Sequence, residues 1–174
     1  NGAITLSNKP NQYYVKEKLM PFGEYLPLRS LFESWIPKRL QFSDLSFGKN
    51  NTLLNVNNIS ILTQICLEAI YESPKYNNAE LIVVMANTAW FNQSSAGKKL
   101  KQFAQVHART FARPIILSTN YGESAIISQK GALLQTFNDS SEGILSEKIE
   151  LKNKQTIYQK WPFLALLIYA FISI

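Results

Sequence analysis

Cysteine and histidine each occur once in the 174 residues, as Cys66 and His107. One cysteine excludes an intrachain disulfide and every multi-cysteine metal site, and one histidine excludes a polyhistidine zinc centre. Any Cys–His nucleophilic pair would depend on His107 alone. No metal and no cofactor is expected. Charged residues make up only 17% of the chain against 46% hydrophobic, a balance that excludes both a disordered chain and a polytopic membrane protein. There is no basic helix with interleaved aromatics and no nucleic-acid motif. The net charge of +6, from 18 basic and 12 acidic residues, is therefore not read as a nucleic-acid footprint. No initiator methionine and no secretory signal open the chain, so a piece of a longer protein is expected.

What is present is organised around Ile59–Tyr71. The β-branched run Ile59–Ile65 reads as a buried strand, and it ends at Cys66, where a helix-compatible segment follows at once. A nucleophile at such a junction is presented at the strand end. The amides of the following turn then point at whatever it attacks. Taken alone, the stretch favours a small buried hydrophobe at position 66, the commonest fate of a free cysteine; the rest of the chain reverses that preference.

Before it, Ala3–Ser7 and Gln12–Lys16 flank an Asn/Pro turn and predict a hairpin. Pro21, Gly23 and Pro27 then forbid regular structure, placing Lys16, Lys18 and Glu24 around a loop. Leu28, Leu31, Phe32 and Trp35 have helical spacing within Leu26–Phe47, with Ile36 and Leu40 continuing the apolar side. That segment suits either the core or a membrane surface, since tryptophan and basic residues are typical of interfacial helices. Gly48–Asn58 reads as a polar connection.

After it, Ser73–Asn78 reads as a turn. Ala79–Ala86 is a near-continuous apolar strand covered on both faces, followed by the loop Asn87-Thr-Ala-Trp90-Phe91. Gly97–Ala112 reads as a helix with Leu100, Phe103, Ala104, Val106 and Phe111 on its apolar side; His107 on this helix reads as structural. Pro114–Thr119 is a strand, Ser124–Ser128 and Ala132–Phe137 a hairpin, and Leu145–Leu151 a further strand. Strands alternating with helices and then hairpins predict a layered α/β or α+β sheet domain. The tail 161–174 carries no charge over 14 residues. As a helix it would be about 21 Å long, short of the roughly 30 Å bilayer core. Continued beyond Ile174, it would be the start of a transmembrane helix.

Several of these segments carry a resemblance. Tyr14-Val-Lys16-Glu-Lys-Leu-Met-Pro21-Phe-Gly-Glu24-Tyr-Leu-Pro27, Ile65-Cys66-Leu-Glu68, Asn87-Thr-Ala-Trp90-Phe91, Ala112-Arg-Pro114 and Ser118-Thr-Asn120-Tyr-Gly122 occur in the order seen in apolipoprotein N-acyltransferases. Those enzymes form a branch of the nitrilase, or carbon–nitrogen hydrolase, superfamily. The Pro-Phe-Gly-Glu-Tyr block is the specific part of the likeness.

The resemblance implies a partial αββα sandwich over residues 1–155, with 156–174 the start of a final transmembrane helix. Cys66 would be the nucleophile and Lys16 the catalytic lysine. Glu24 and Glu68 would be supporting carboxylates, the Leu67 amide would face the oxyanion, and Asn87, Trp90 and Asn120 would line the substrate. The general-base glutamate would lie upstream of Asn1, leaving these residues inactive alone. The implied reaction moves an acyl chain from a phospholipid through a Cys66 thioester to a diacylglyceryl apolipoprotein, at the periplasmic side of a bacterial inner membrane. Leu28, Phe32, Trp35 and Ile36 would form an arm admitting lipid. The chain departs from the usual pattern at Leu67 (tyrosine), Lys18 (histidine), Thr88 (aspartate), His107 (arginine) and Thr110 (glutamate). The competing expectations are a soluble nitrilase-type amidase using the same Cys66 and Lys16, and a non-catalytic relative.

Overall fold

The computed structural model describes all residues except 7–9, 33–43, 50–51, 92–94, 138–142, 152–153 and 173–174. The expected hairpin is there: β1 (Gly2–Ile4) and β2 (Tyr13–Val15) pair antiparallel with Ala3 opposite Tyr14. The loop after it leads to a four-residue helix, α1 (Arg29–Phe32). Trp35, Ile36 and Leu40, on which the longer helix depended, lie outside the described residues.

Six strands then form one sheet in chain order: β3 (Leu54–Val56), β4 (Ile59–Ile65), β5 (Leu81–Ala86), β6 (Ile115–Thr119), β7 (Ser124–Ile127) and β8 (Leu133–Phe137). The β4–β5–β6 core is parallel and the outer pairs are antiparallel. Parallel neighbours need crossovers long enough to return the chain to the same end of the sheet. Two 3₁₀ turns, Cys66–Ile70 and Pro74–Asn77, lie on the first crossover, and helix α2 (Ala96–Phe111) provides the second.

One face of the sheet is the core. The register places Leu62, Ile82, Ile115 and Ile127 side by side, with Gln64, Val84, Leu117 and Ala125 in the next row. Leu100, Ala104, Ala108 and Phe111 of α2 are buried in the same cluster. Val106, expected on the helix's apolar side, is 59% exposed because it turns away from the sheet. On the opposite face Ile61, Val83, Met85 and Ile116 are half-buried. The β1–β2 hairpin reaches β3 through Gln12, whose amide donates to the Asn55 carbonyl (3.0 Å) and accepts from its N–H (2.8 Å).

Three expectations need correction. Gly48–Asn58 is not all connection, because β3 pairs with β4 across Asn57-Asn58, both at positive φ (50° and 65°). Consecutive left-handed residues match the twist of a two-residue hairpin, and asparagine tolerates that conformation. The segment after Cys66 is a single 3₁₀ turn, not a helix. Pro74 biases the residue before it away from helical φ/ψ, and Ser73 is extended (φ −124°, ψ 134°). Leu145–Leu151 forms no described strand. Side chains hold it instead: Gln135 accepts from Ser146 N–H (3.0 Å) and Gln129 donates to Glu150 (3.1 Å).

The chain ends in α3 (Ile157–Lys160), capped by Thr156, and α4 (Leu164–Ile172), separated by Trp161-Pro162. Among the described residues no helix is long and apolar enough to cross a membrane.

Arg113 joins the far ends of this architecture. Wholly buried, it follows Ala112, whose left-handed backbone (φ 50°) terminates α2. Its guanidinium donates to the carbonyls of Phe111 and Ala112 (both 3.2 Å), Lys154 (3.0 Å) and Asn77 (3.4 Å), and also to that of Ala79. It therefore satisfies carbonyls that the helix end leaves orphaned. Arg113→Met keeps the volume but strips these acceptors of their donor, and should lower stability by about 3–5 kcal/mol. Urea denaturation reads this as a fall in midpoint at constant slope; a loss below about 1 kcal/mol would refute the assignment.

Candidate active site

The site forms where β4 ends. Cys66 itself is at φ 54°, a left-handed conformation that costs a non-glycine residue about 1–3 kcal/mol and persists only where its surroundings enforce it. Here the enforcement comes from Glu68, which is 4% exposed. Its Oε2 accepts the Ile65 N–H (2.7 Å), closing a loop directly around Cys66. Its Oε1 accepts from the Tyr14 hydroxyl (2.9 Å) and the N–H groups of Glu17 (2.7 Å) and Lys18 (3.0 Å). One carboxylate thus ties the end of β4 to the end of β2. Burial, then the Glu68 charge, push the Tyr14 hydroxyl far up, so it remains a donor.

The segment so anchored carries Lys16, which is 1% exposed. Its Nζ donates to both oxygens of Glu24 (2.8 and 2.7 Å). Glu24 also accepts from Met20 N–H (2.7 Å) and the Asn1 amide. The Met20–Tyr25 turn delivers it: Glu24 N–H donates to the Met20 carbonyl (2.8 Å) and Phe22 N–H to that of Tyr25 (2.8 Å). A buried ammonium requires such a partner.

Burial pushes the Cys66 thiol up, while the Lys16 ammonium and the Leu67 amide pull it down; Glu24 and Glu68 add to the upward push. The net direction is up, so at neutral pH the resting group is the thiol, not the thiolate. Cys66 opens on a pocket of about 220 Å³ walled by Met20, Leu67, Ile70, Phe91, Leu100 and Phe103, with Thr88 and Lys99 also on its lining.

Of the residues singled out from the sequence, Cys66, Lys16, Glu24, Glu68 and Leu67 converge here. Asn87 and Asn120 lie at the neighbouring ends of β5 and β6. The Asn120 amide donates to Asn87 Oδ1 (2.9 Å) and accepts from Thr88 N–H (3.0 Å), while Asn87 Oδ1 accepts from Ala89 N–H (3.2 Å). They brace the ends of β5 and β6 and so fix Thr88, whose hydroxyl donates to the Tyr121 carbonyl. The side chain of Trp90 lies outside the described residues. His107 is buried against Tyr76 and takes no part in lining the pocket. Sequence reasoning missed Tyr14, whose neighbour Tyr13 is equally aromatic but 73% exposed; strand alternation distinguishes the two only once the register is known. It also missed the pocket wall, drawn from four separate segments.

The carbon–nitrogen hydrolase family pattern matches residues 1–159. The chain belongs to the carbon–nitrogen hydrolase family. Among curated proteins it is similar to the apolipoprotein N-acyltransferase of Pseudomonas syringae pv. tomato, 31% identical over 168 residues, covering 92% of this chain and 33% of that protein. It is likewise similar to that of Aquifex aeolicus, 35% identical over 133 residues, covering 76% and 30%. The chain spans about a third of the length of these relatives.

Solved structures share the fold. A carbon–nitrogen hydrolase superfamily protein of Xanthomonas campestris superposes with TM-score 0.53 at 16% identity, over 74% of this chain and 49% of the other. A carbon–nitrogen hydrolase of Helicobacter pylori gives 0.50 at 16%, over 79% and 56%.

The electrostatics of the site are open to titration. Lys16→Met removes the cation that pulls the thiol down and leaves Glu24 unpaired, so the thiolate should form at higher pH. Ultraviolet titration of the thiolate should show the Cys66 midpoint rise by about one unit or more. An unchanged or lower midpoint would mean that the Lys16 charge does not act on Cys66.

Proposed function

We propose that this chain is the nucleophile-bearing part of an apolipoprotein N-acyltransferase. Residues 1–155 form the C-terminal portion of its carbon–nitrogen hydrolase domain, and 156–174 begin a terminal membrane segment. The observation that carries the reading is the setting of Cys66: a thiol on a left-handed turn, under a buried lysine, opening on an almost wholly apolar pocket. That lining suits a hydrocarbon chain and offers little to a small polar amide. The likeness to named acyltransferases points the same way.

In this reading the Cys66 Sγ gives up its proton to a base and attacks an ester carbonyl of a phospholipid. The carbon–oxygen bond breaks, lysophospholipid leaves with a proton, and a thioester remains on Cys66. The Leu67 amide and the Lys16 ammonium stabilise the oxyanion of the tetrahedral intermediate. The amine of a diacylglyceryl-cysteine apolipoprotein then attacks the thioester. A carbon–nitrogen bond forms, the carbon–sulfur bond breaks, and the thiol regains its proton.

The base is a further carboxylate, placed by the family resemblance ahead of Asn1. Glu24 is committed to Lys16 and Glu68 to four donors, so in this reading both are structural carboxylates. These 174 residues are accordingly inactive by themselves. The rest of the sandwich covers the half-buried sheet face around Val83, Met85 and Ile116.

A membrane seat suits the exposed apolar groups. Trp161, Phe163, Phe171 and Ile172 stand at 65–84% exposure, and Phe22, Leu28 and Leu31 at 65–71%. The surplus of positive charge suits anionic headgroups. We place the domain on the periplasmic side of a bacterial inner membrane.

Intact-mass measurement of the full-length protein after incubation with phospholipid tests the first half-reaction. The expected result is one acyl adduct, released by hydroxylamine, absent in Cys66→Ser and discharged by a diacylglyceryl peptide amine. A folded full-length protein that acquires no adduct would sink the reading.

A further inference from the structure

The single histidine has no part in the proposed reaction. His107 sits on α2 at 6% exposure, in an aromatic setting of Tyr76, Phe103 and Phe111. Its Nδ1 lies 2.9 Å from the hydroxyl of Tyr76, itself fully buried. The Tyr76 hydroxyl lies 2.8 Å from Gln64 Oε1, and Gln64 Nε2 donates to the backbone carbonyl of Glu68 (3.1 Å).

The proton directions along this chain are fixed by its far end. The Glu68 carbonyl only accepts, so the amide nitrogen of Gln64 faces it and the amide oxygen faces Tyr76. That oxygen only accepts as well, so the tyrosine hydroxyl spends its one proton there. His107 Nδ1 must then carry a hydrogen and donate to Tyr76. Every link has one donor and one acceptor, and the relay runs one way, from α2 to the turn that carries the nucleophile.

Where it ends is what matters. Gln64 and Glu68 lie on either side of Cys66, and two hydrogen bonds close the short loop between them. Ile65 N–H goes to the Glu68 carboxylate, and the Gln64 side chain goes to the Glu68 carbonyl. The first holds the carboxylate that Tyr14, Glu17 and Lys18 tie to the end of β2; the second anchors the turn to the core. Gln64 is a polar residue in the core row of the sheet, beside Val84, and a glutamine there is costly unless its amide is fully paired. Tyr76 keeps that amide oriented, and His107 keeps Tyr76 oriented.

We propose that His107 is a positioning residue: acting through Tyr76 and Gln64, it fixes the carbonyl of Glu68 and so holds Cys66 in its left-handed conformation. Held so, the thiol stays within reach of the Leu67 amide. The proposal rests on Cys66 being the nucleophile of the proposed reaction.

The test reads Cys66 directly. In the full-length protein, iodoacetamide alkylation of the Cys66 peptide is followed by mass spectrometry across pH. Tyr76→Phe removes only the hydroxyl and keeps the stacking on Phe111. His107→Leu removes the relay's origin, and His107→Asn restores a donor at the Nδ1 position. With the turn relaxed, the thiolate loses its amide partner. Tyr76→Phe and His107→Leu should therefore move the alkylation midpoint up by about one unit and slow the reaction about tenfold below it. His107→Asn should stay within about twofold of the parent.

A role confined to core packing would leave the profile of the folded protein in place. An unchanged midpoint in Tyr76→Phe and His107→Leu would therefore overturn the proposal, as would faster alkylation in either, the mark of an opened core. So would a His107→Asn protein that behaves like His107→Leu. Because alkylation needs no acyl donor, these results stand apart from the acyltransferase reading: loss of the acyl adduct in the parent protein would sink that reading and leave the relay to be judged on its own.

Discussion

One buried carboxylate holds the site together. Glu68 accepts four hydrogen bonds from the end of β4, from Tyr14 and from the backbone just beyond β2. Those donors bring the two chain segments that carry Cys66 and Lys16 to the same place, although the two residues are 50 positions apart in sequence. They also offset the cost of the left-handed backbone at Cys66, which a single 3₁₀ turn could not sustain alone. Lys16 in turn can be buried only because the Met20–Tyr25 turn presents Glu24 to it. The geometry of Cys66 and its electrostatics are therefore one construction, and both depend on Glu68 remaining in place.

The sheet supplies the rigid base. Its parallel centre ends with β4 and β5 side by side, so Cys66 and the Asn87–Phe91 loop emerge at the same edge, and α2 returns across one face to close the pocket. Core rows of isoleucine, valine and leucine give way near the site to Gln64, a substitution of polarity for packing in the row next to Cys66. Polar groups in a core are tolerated where they are hydrogen-bonded, and Gln64, Tyr76 and His107 are bonded in series.

Much of this was legible in the chain. The run Ile59–Ile65 was read with the bounds the strand has, because a β-branched apolar run between turn signals has few other fates. The bounds of the α2 helix and of the β7–β8 hairpin agree with the sequence reading to within a residue, while the first strand of the β1–β2 hairpin ends three residues short of it. Cys66, Lys16, Glu24 and Glu68 were picked out by resemblance to a family pattern, and the fold brings all four together. What escaped depended on long-range pairing. The β3 strand was hidden in a polar stretch because its hairpin uses Asn57-Asn58 without a glycine. Leu145–Leu151 alternates like a strand, yet glutamine side chains, not a neighbouring backbone, take up its hydrogen bonds. The hydrogen bond between the Asn120 and Asn87 side chains, 33 residues apart in sequence, is likewise invisible to any local spacing. His107 seemed to lack a partner because Tyr76 lies 31 residues away on a turn, a separation that no helical spacing reveals.

In the proposed reaction Cys66, held in its left-handed turn, carries an acyl group whose carbonyl faces the Leu67 amide and Lys16 while its chain enters the apolar pocket. An experimental structure of the full-length protein trapped as the acyl-Cys66 thioester tests this most directly. The account predicts positive φ at residue 66, the thioester oxygen about 3 Å from the Leu67 nitrogen, and the first methylenes packed against Ile70 and Phe103. A thioester oxygen turned away from both donors, or an acyl chain directed out of that pocket, would contradict it.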